Sequence, residues 1–156
     1  SKVQTIVAGG ATRQESVAAG LAELPEGVSL VAVHDGARPC VQPELIADTL
    51  RSAKRYGSGV AATKVTDTLK EVQRGFVVAK TVDRSKLWAV QTPQSFKLSL
   101  LREAFAVVSS RKRQVTDEAS AVELLGKPVH LVPASPSNLK ITTTDDLVVA
   151  EALLKA

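Results

Sequence analysis

An aspartate and an arginine follow the apolar segment at residues 29–33 and are the first candidates for chemistry. The segment contains two β-branched valines and reads as a strand buried on both faces, and Asp35-Gly36 ends it. Ligands of open α/β sheets bind beyond the carboxyl ends of the strands, where Asp35 can hold a cation or a ribose hydroxyl. Arg38 can meet phosphate oxygens through two parallel N–H groups. The alternative is that Asp35 caps the turn and Arg38 is a solvated surface residue.

A glycine pair, Gly9-Gly10, lies between a predicted strand at residues 5–8 and a predicted helix that begins near Arg13. Paired glycines let backbone N–H groups approach a ligand closely, and the amino end of a helix favours an anion. The sequence has no third glycine at the dinucleotide-binding spacing and no P-loop lysine, so neither phosphate-binding fingerprint is satisfied. A tight turn without a ligand is the alternative.

Two later segments carry charges that could serve a site. Thr116-Asp117-Glu118 predicts a helix start, with Thr116 as the N-cap, and that role explains the residues without any function. Lys140 lies on a predicted edge strand, residues 139–142, between two apolar neighbours. Its side chain therefore points away from theirs, either into a cleft or into solvent.

An α/β framework has to position these residues. The apolar patterns predict further strands at residues 58–65 and 129–132, and helices at residues 13–24, 43–56, 98–108, from 116 onward and through 153. The strand–helix–strand order across residues 29–65 indicates a parallel unit with a right-handed crossover. Residues 66–81 form a polar hairpin pattern around Gln73-Arg74-Gly75, which is either an arm that packs on another chain or a solvated edge. A Thr-Pro turn is expected at residues 92–93.

Composition limits the classes of function. The 156 residues suit one domain, and the net charge of +4 suits phosphate handling but is too mild and dispersed for a nucleic acid polymer. No apolar run approaches the ~18 residues of a membrane span. One cysteine and two histidines are too few for a structural zinc site, and the single cysteine favours a reducing compartment. Because the sequence contains no methionine, we expect the chain to be a piece of a longer protein.

Taken together, seven segments resemble the 2-C-methyl-D-erythritol 4-phosphate cytidylyltransferase family, in the family's order and across almost the whole chain. They are Gly9-Gly10 with Arg13 and Ser16-Val17, Val33-His34-Asp35 with Ala37-Arg38-Pro39, Asp67-Thr68-Leu69-Lys70, Thr81-Val82-Asp83-Arg84, Leu87-Trp88 with Gln91-Thr92-Pro93-Gln94, Thr116-Asp117-Glu118-Ala119-Ser120, and Asn138-Leu139-Lys140-Ile141-Thr142. The resemblance implies a Rossmann-like nucleotidyltransferase fold: three layers, a mostly parallel sheet and a protruding β-hairpin arm. It also implies that residues 1–156 are one partial domain, whose first strand and glycine-rich triphosphate loop precede Ser1, so that the isolated chain is poorly active.

The resemblance implies cytidylyl transfer from CTP to the phosphate of methylerythritol phosphate, with release of pyrophosphate. The roles that it implies are as follows: Lys140 and Asp35 are catalytic; Gly9, Gly10, Ser16, Asp35, Gly36 and Lys140 bind CTP; Thr68, Arg84, Thr92, Thr116 and Asp117 bind the substrate phosphate; and Arg13 and Arg38 support the transition state. Mg²⁺ or another divalent cation is expected, with Asp35 as a metal contact. Residues 66–84 are expected to hold a homodimer together. The implied location is a bacterial cytoplasm or a plastid stroma.

Two departures from the family pattern and two rival functions remain. Ala11 stands where the family often has an acidic residue, and Gly36 where it usually has alanine. One rival is a cytidylyltransferase for another polyol phosphate, such as ribitol 5-phosphate. The other is a non-catalytic nucleotide-binding or dimerisation module.

Overall fold

The computed structural model describes residues 2–155 as a four-stranded sheet with helices, together with a separate two-stranded hairpin. The helices are α1 (Arg13–Ala22), α2 (Pro43–Tyr56), α3 (Leu98–Ser110), α4 (Glu118–Glu123) and α5 (Thr144–Lys155). The strands are β1 (Leu30–Val33), β2 (Ser58–Lys64), β3 (Leu69–Val72), β4 (Val78–Val82), β5 (Trp88–Lys97) and β6 (Leu131–Pro133). None of the described helices is long and apolar enough to cross a membrane.

The order of the main sheet is β1-β5-β2-β6. Strands β2 and β6 are parallel, whereas β5 runs antiparallel to both β1 and β2. Three of the four strands therefore point the same way, as the mostly parallel class requires. The expected parallel unit, β1-α2-β2, is correct in direction, but β5 lies between its two strands.

The sheet has helices on both faces. Successive side chains of β2 contact the two helical layers in turn, because the side chains of a strand point alternately to opposite sides of the sheet. Gly59 of β2 faces α2, and a Cβ built there would lie 2.2 Å from the carbonyl oxygen of Thr49. Val60 points to the other face, into the main hydrophobic cluster. That cluster includes Phe96 of β5 and four residues of α3: Leu98, Leu101, Ala104 and Val108. The three-layer arrangement is confirmed.

The close packing of α2 on β2 leads to a stability prediction. We expect Gly59→Ala to lower the free energy of unfolding by about 1–3 kcal/mol, because its Cβ would meet backbone that cannot move aside cheaply. Gly20→Ala is the matched control: this glycine is exposed in α1, and none of the described residues comes within 4 Å of its built Cβ. Urea unfolding should show the control unchanged or slightly more stable. Equal stability of the two variants would contradict this packing.

Four local expectations were wrong. Residues 5–8 are not in a strand, and the side chain of Ile6 is 91% exposed, because an apolar run becomes a strand only where a neighbouring strand pairs with it. Strand β1 is half-buried at the edge of the described sheet rather than covered on both faces. Residues 92–93 do not form a turn but continue β5 through a cis Thr92–Pro93 bond. Residues 139–142 are not an edge strand, although the N–H of Ile141 donates to the carbonyl of Ala37.

The hairpin prediction is confirmed. Strands β3 and β4 pair as a sheet of their own, with a tight turn at Arg74–Phe76. The Arg84 guanidinium donates to the carbonyl of Thr66 and closes the base of the hairpin. We call residues 66–84 the hairpin arm.

Candidate functional site

A cleft of about 250 Å³ lies beyond the carboxyl end of β1, against the middle of β5. Its lining residues come from α1, from the turn after β1, from β5, from the start of α4 and from the segment before α5. They are Arg13, Asp35, Arg38, Val90, Gln91, Thr92, Gln94, Thr116, Asp117 and Lys140. Seven of these were singled out in the sequence, so the cleft collects most of the predicted site.

Asp35 is the centre of the charge in this cleft. Its carboxylate lies 3.2 Å from Lys140 Nζ, 3.6 Å from Arg38 Nε and 3.7 Å from Arg13 Nε. Burial raises the pKa of Asp35, but the hydrogen bond from Lys140 and the nearby cations outweigh burial, so the pKa lies below its ordinary value. Three cations therefore surround this carboxylate, while Glu118 and Asp117 lie on the far side of Arg13 and at the start of α4, so an anionic ligand would be held by these individual cations rather than by a net positive charge of the cleft.

Arg13 is fixed by a buried partner. Its two terminal nitrogens donate to the two carboxylate oxygens of Glu118 at 2.6 and 2.8 Å, and Glu118 is only 1% exposed. The pKa of Arg13 is raised by this hydrogen bond. Arg13 can take this position because α1 begins directly before it, with Thr12 as N-cap in a reciprocal capping box with Glu15. The first turn of α1 is thereby bound to the first turn of α4.

A buried glutamine on β5 fixes the start of α4. Gln94 Nε2 donates to Asp117 Oδ2 at 2.9 Å, and Gln94 Oε1 accepts from the N–H of Ala119 at 3.0 Å. Asp117 also caps α4, because its carboxylate accepts from the N–H of Ser120. Burial raises the pKa of Asp117, but the hydrogen bonds from Ser120 and Gln94 lower it below its ordinary value. The predicted N-cap, Thr116, was wrong by one residue: its hydroxyl instead lies 3.2 Å from Ser120 Oγ.

Asn138 joins the segment that carries Lys140 to the rest of the site. Its side-chain Nδ2 donates to Gln91 Oε1 and to the carbonyl of Thr92, both at 2.9 Å. Its own backbone carbonyl accepts from Arg38 Nη1 at 2.8 Å. Lys140 follows two residues later, so this buried amide sets the path of the segment that places the lysine beside Asp35.

His34 bridges the turn after β1 to β5. Its Nδ1 lies 3.0 Å from Thr92 Oγ1, and its Nε2 lies 3.1 Å from the carbonyl oxygen of Arg38. The N–H of Asp35 donates to the same Thr92 hydroxyl at 3.0 Å. The turn that carries Asp35 is therefore held on β5 by side-chain hydrogen bonds.

The glycine pair lies outside the cleft. Ser16 Oγ accepts from the N–H of Gly10 at 3.1 Å and donates to the carbonyl of Thr12 at 3.0 Å. A Cβ built at Gly10 would lie 2.3 Å from Glu15 Cβ, so the segment has to approach α1 closely. The tight-turn alternative accounts for these contacts, and binding of CTP by Gly9, Gly10 and Ser16 stays a prediction.

Three other predicted residues also lie outside the lining. Gly36 follows Asp35 in the turn, and a Cβ built there would meet none of the described atoms within 4 Å. Thr68 and Arg84 are exposed on the hairpin arm. Thr68 and Arg84 can take part in a substrate pocket only if the hairpin arm reaches the cleft of another chain.

Sequence reasoning gave no role to six residues that line or support the site. They are Val90, Gln91, Gln94, Glu118, Asn138 and His34. All but Val90 lie inside the segments that carried the family resemblance, so those five were quoted without a role. Glu118 was hidden because a helix start explains an acid in the first turn. Gln94 was hidden because a turn was expected where β5 continues.

The carboxylates of the cleft determine which kind of metal site its residues fit. The described residues hold no group of three or more His, Cys, Asp or Glu side chains placed to bind a metal ion. Mg²⁺ is usually bound by one or two carboxylates together with waters and substrate phosphates. The cleft therefore fits a Mg²⁺ that arrives with a nucleotide and contacts Asp35, and it does not fit a site built from protein groups alone.

The lowered pKa of Asp35 predicts that the folded state becomes less stable at acid pH. Because the folded-state pKa lies below the ordinary 3.8, ionised Asp35 stabilises the fold above that pH and loses this contribution as the pH falls through the folded value. We expect Asp35→Asn to reduce the melting temperature at pH 7 and to make it less dependent on pH below about 4. Thermal melts from pH 2 to 7 test this, with Asp67→Asn, an exposed aspartate of the hairpin arm, as the control. A parallel shift of the Asp35→Asn curve at every pH would contradict it.

A larger cleft of about 550 Å³ lies at the opposite end of β1, around Leu30 and Leu98. Its lining includes Lys54, Lys97 and Arg102 but no carboxylate that could orient them. None of the predicted site residues lines it. We therefore assign the chemistry to the smaller cleft.

Comparison with known proteins gives a consistent result. The family model described as "IspD: 2-C-methyl-D-erythritol 4-phosphate cytidylyltransferase" matches residues 1–156. A protein of that name from Parasynechococcus marenigrum (strain WH8102) is 49% identical over 99% of this chain and 68% of its own length. Another from Synechococcus sp. (strain CC9902) is 47% identical over 96% of this chain and 66% of its own length. The chain thus spans about two thirds of the length of these relatives.

Solved structures agree with the sequence comparison. The crystal structure of the 2-C-methyl-D-erythritol 4-phosphate cytidylyltransferase from Thermus thermophilus superposes with a TM-score of 0.88 at 43% identity, over 95% of this chain and 71% of that one. The corresponding Francisella tularensis structure gives a TM-score of 0.85 at 39% identity, over 93% of this chain and 69% of that one.

Proposed function

The chain belongs to the 2-C-methyl-D-erythritol 4-phosphate cytidylyltransferase family, and from that premise we propose that the protein transfers a cytidylyl group from CTP to 2-C-methyl-D-erythritol 4-phosphate. The products are 4-diphosphocytidyl-2-C-methyl-D-erythritol and pyrophosphate. The observation that carries the proposal is the convergence of Arg13, Arg38 and Lys140 on Asp35 in one cleft.

The reaction joins two anions and needs little acid–base chemistry. An oxygen of the substrate phosphate attacks the α-phosphorus of CTP, and the bond from that phosphorus to the bridging oxygen of pyrophosphate breaks. A phosphate monoester is already ionised at neutral pH, so no side chain has to remove a proton. The protein's task is to align the reacting groups and to stabilise negative charge on the phosphoryl oxygens.

The three cations are held to different degrees. Arg13 is tied to buried Glu118, and Arg38 is tied to the carbonyl of Asn138. Lys140 has Asp35 as its ion-pair partner, and its side chain is 46% exposed. Lys140 is therefore the cation best able to leave its partner and meet the α-phosphate of CTP, while the two arginines form the fixed wall against which the anions align.

We propose that Mg²⁺ enters with CTP and contacts Asp35. When bound, the ion would neutralise charge on the triphosphate and on the departing pyrophosphate. Asp35 would then exchange one or more of its cation partners for the metal. Its low pKa supports this role, because the carboxylate is ionised at neutral pH.

The test is a substrate comparison on the natural gene product that contains these residues. Pyrophosphate release is measured with CTP and either 2-C-methyl-D-erythritol 4-phosphate or ribitol 5-phosphate. We expect turnover with the first and little with the second. Turnover with ribitol 5-phosphate alone would replace the proposed acceptor. Failure with both, together with binding of CDP-linked polyols, would favour a non-catalytic module.

We also propose a homodimer formed through the hairpin arm. Phe76 at the tip is 93% exposed, and Val72, Val77 and Val78 are each more than half exposed. Exposed apolar side chains grouped on a protruding element are typical of protein interfaces. Such an interface would bring Thr68 and Arg84 towards a neighbouring subunit's cleft.

The dimer proposal predicts a selective effect of charge at the arm tip. Phe76→Asp should shift the protein from dimer to monomer in analytical ultracentrifugation, because an aspartate cannot be buried there without a partner. Val148→Asp, at a 70% exposed position of α5, is the control and should leave the dimer intact. A dimer lost in the control but retained in Phe76→Asp would place the interface elsewhere.

A further inference from the structure

The larger cleft, at the amino end of β1, differs in character from the candidate site. Its volume of about 550 Å³ is more than twice the 250 Å³ of the other, and the two share none of their lining residues. Backbone hydrogen bonds hold its walls together: the N–H of Lys97 donates to the carbonyl of Gly57 at 3.0 Å, and the N–H of Leu98 donates to the carbonyl of Ser29 at 2.9 Å. We call this cleft the basal cavity; its lining includes Val28, Leu30, Lys54, Lys97, Leu98 and Arg102.

Three cations from three different elements line the basal cavity. Lys54 lies on α2, Lys97 ends β5, and Arg102 lies on α3. Within residues 2–155, no carboxylate forms an ion pair with any of them, and their side chains make one hydrogen bond, from Arg102 Nη2 to the carbonyl of Leu21 at 3.3 Å. The cations of the candidate site, by contrast, all have carboxylate partners. An anion that enters the basal cavity would therefore meet positive charge that no described group of the protein already neutralises.

The amino end of α3 adds to this positive character. Its N-cap, Lys97, makes no side-chain hydrogen bond to the first turn, and that turn contains no acidic residue. The other four α-helices of the described residues each have an acid in the first turn. The partial positive charge at this helix end is thus left without a compensating side chain of α3. It is a secondary contribution, because it amounts to about half a charge beside three full ones.

The floor of the basal cavity is apolar. Leu98 is 5% exposed and belongs to the main hydrophobic cluster, and Val28 packs against that cluster. Leu30 completes this surface, whereas the three cations are exposed and lie around it. An inorganic ion could meet the cations but would leave the floor in contact with water. A ligand with both an anionic head and an apolar body would use both surfaces.

We infer that the basal cavity is a second binding site, which takes a small amphiphilic phosphate: a phosphate or diphosphate ester with a short apolar chain. Three separate cations favour a multiply charged phosphate head over a single carboxylate. The volume lies in the range of cavities that enclose a whole small molecule. This site goes beyond the proposed function and does not depend on it, because none of its residues lines the candidate site.

The first experiment separates the head of the ligand from its chain. Dissociation constants for hexyl phosphate, inorganic phosphate and hexanol are measured by calorimetry on the natural gene product that contains these residues. We expect hexyl phosphate to bind at least about tenfold more tightly than inorganic phosphate, because burial of about two methylene groups is enough for that factor. Hexanol lacks the charge and should bind at least about tenfold more weakly than hexyl phosphate.

The second experiment locates the bound ligand. Lys54→Ala and Lys97→Ala should each weaken hexyl phosphate by about three- to tenfold, a modest factor because both side chains are exposed. Ser99→Phe places a ring in the cavity from an exposed lining position and should reduce the affinity for hexyl phosphate to that for inorganic phosphate. Lys127→Ala, which removes an exposed lysine outside both clefts, and Lys140→Ala, in the candidate site, should leave hexyl phosphate binding unchanged. Thermal melts check that each variant is folded.

Four results would overturn the inference. They are no binding of hexyl phosphate by the unmodified protein, equal affinities for hexyl phosphate and inorganic phosphate, and equal affinities of Lys54→Ala and Lys127→Ala for hexyl phosphate. The fourth is binding that Lys140→Ala abolishes, which would put the ligand in the candidate site. If hexyl phosphate does not bind but phosphatidic acid vesicles do, the cations face a membrane surface instead of a small ligand. None of these results would bear on cytidylyl transfer.

Discussion

Lys140→Ala is expected to lower kcat by about 100- to 1,000-fold, which is typical for removal of one group that stabilises transition-state charge. Lys140 is the most exposed of the three cations and has Asp35 as its ion-pair partner, so in the proposed reaction it is the group best placed to stabilise charge that would develop on the α-phosphate. Steady-state pyrophosphate release measures the effect. We expect the KM for CTP to change much less, because both arginines remain.

Two further variants make this prediction specific. Lys140→Arg keeps the charge but changes its shape and reach, and we expect part of the activity to return. Lys127→Ala removes an exposed lysine that does not line the cleft and should leave kcat unchanged. Equal rates for Lys140→Ala and Lys127→Ala would rule out the proposed role of Lys140 at the α-phosphate.

The second large effect is on stability. Arg13→Ala should lower the free energy of unfolding by about 3 kcal/mol, because it leaves the Glu118 carboxylate, which is 1% exposed, without its ion-pair partner. We take the low end of the range for buried pairs because the Arg13 side chain is itself 36% exposed. Chemical unfolding monitored by circular dichroism provides the measurement. Arg51→Ala, which breaks an exposed pair with Asp48, is the matched control and should cost less than about 1 kcal/mol.

A double variant separates the structural and catalytic parts of this pair. Arg13→Leu combined with Glu118→Leu replaces both charges with apolar groups and should recover much of the stability. Activity should stay low, because the cleft has lost one of its three cations. If the double variant regains full activity, Arg13 serves only to pair Glu118.

Periodic segments were predictable from the sequence because their signal is local. The apolar face of α2 and the glycine turn of the hairpin arm identify those elements without tertiary information. Strand β5 was not predictable in this way, because Thr92-Pro93 is typical of a turn and only the neighbouring β1 and β2 hold it extended. The strand expected at residues 5–8 failed for the converse reason: its apolar pattern is clear, but pairing depends on a partner.

The residues of the candidate site also differ in whether their signal in the sequence is local or depends on a distant partner. Asp35 and Arg38 were identified because they follow the predicted carboxyl end of a strand, where ligands of open α/β sheets bind, although a turn cap and a surface residue were equally good explanations. Lys140 was noticed between two apolar neighbours, and its catalytic role came from the family resemblance. Glu118 and Gln94 gave no signal of their own, because a buried acid or amide is revealed only by the partner that satisfies it, and those partners lie 105 and 23 residues away along the chain.

The position of β5 between β1 and β2 also sets an order for assembly during synthesis. Among the described strands, β1 and β2 are not neighbours and β6 comes later still, so these strands form no adjacent pair until β5, residues 88–97, has been made. Of the strand pairs in the described residues, only the local hairpin of β3 and β4 precedes residue 88. The pairings of β1 and β2 with β5 therefore form late, and strand edges that are still open during synthesis can be bound by chaperones or misassociate.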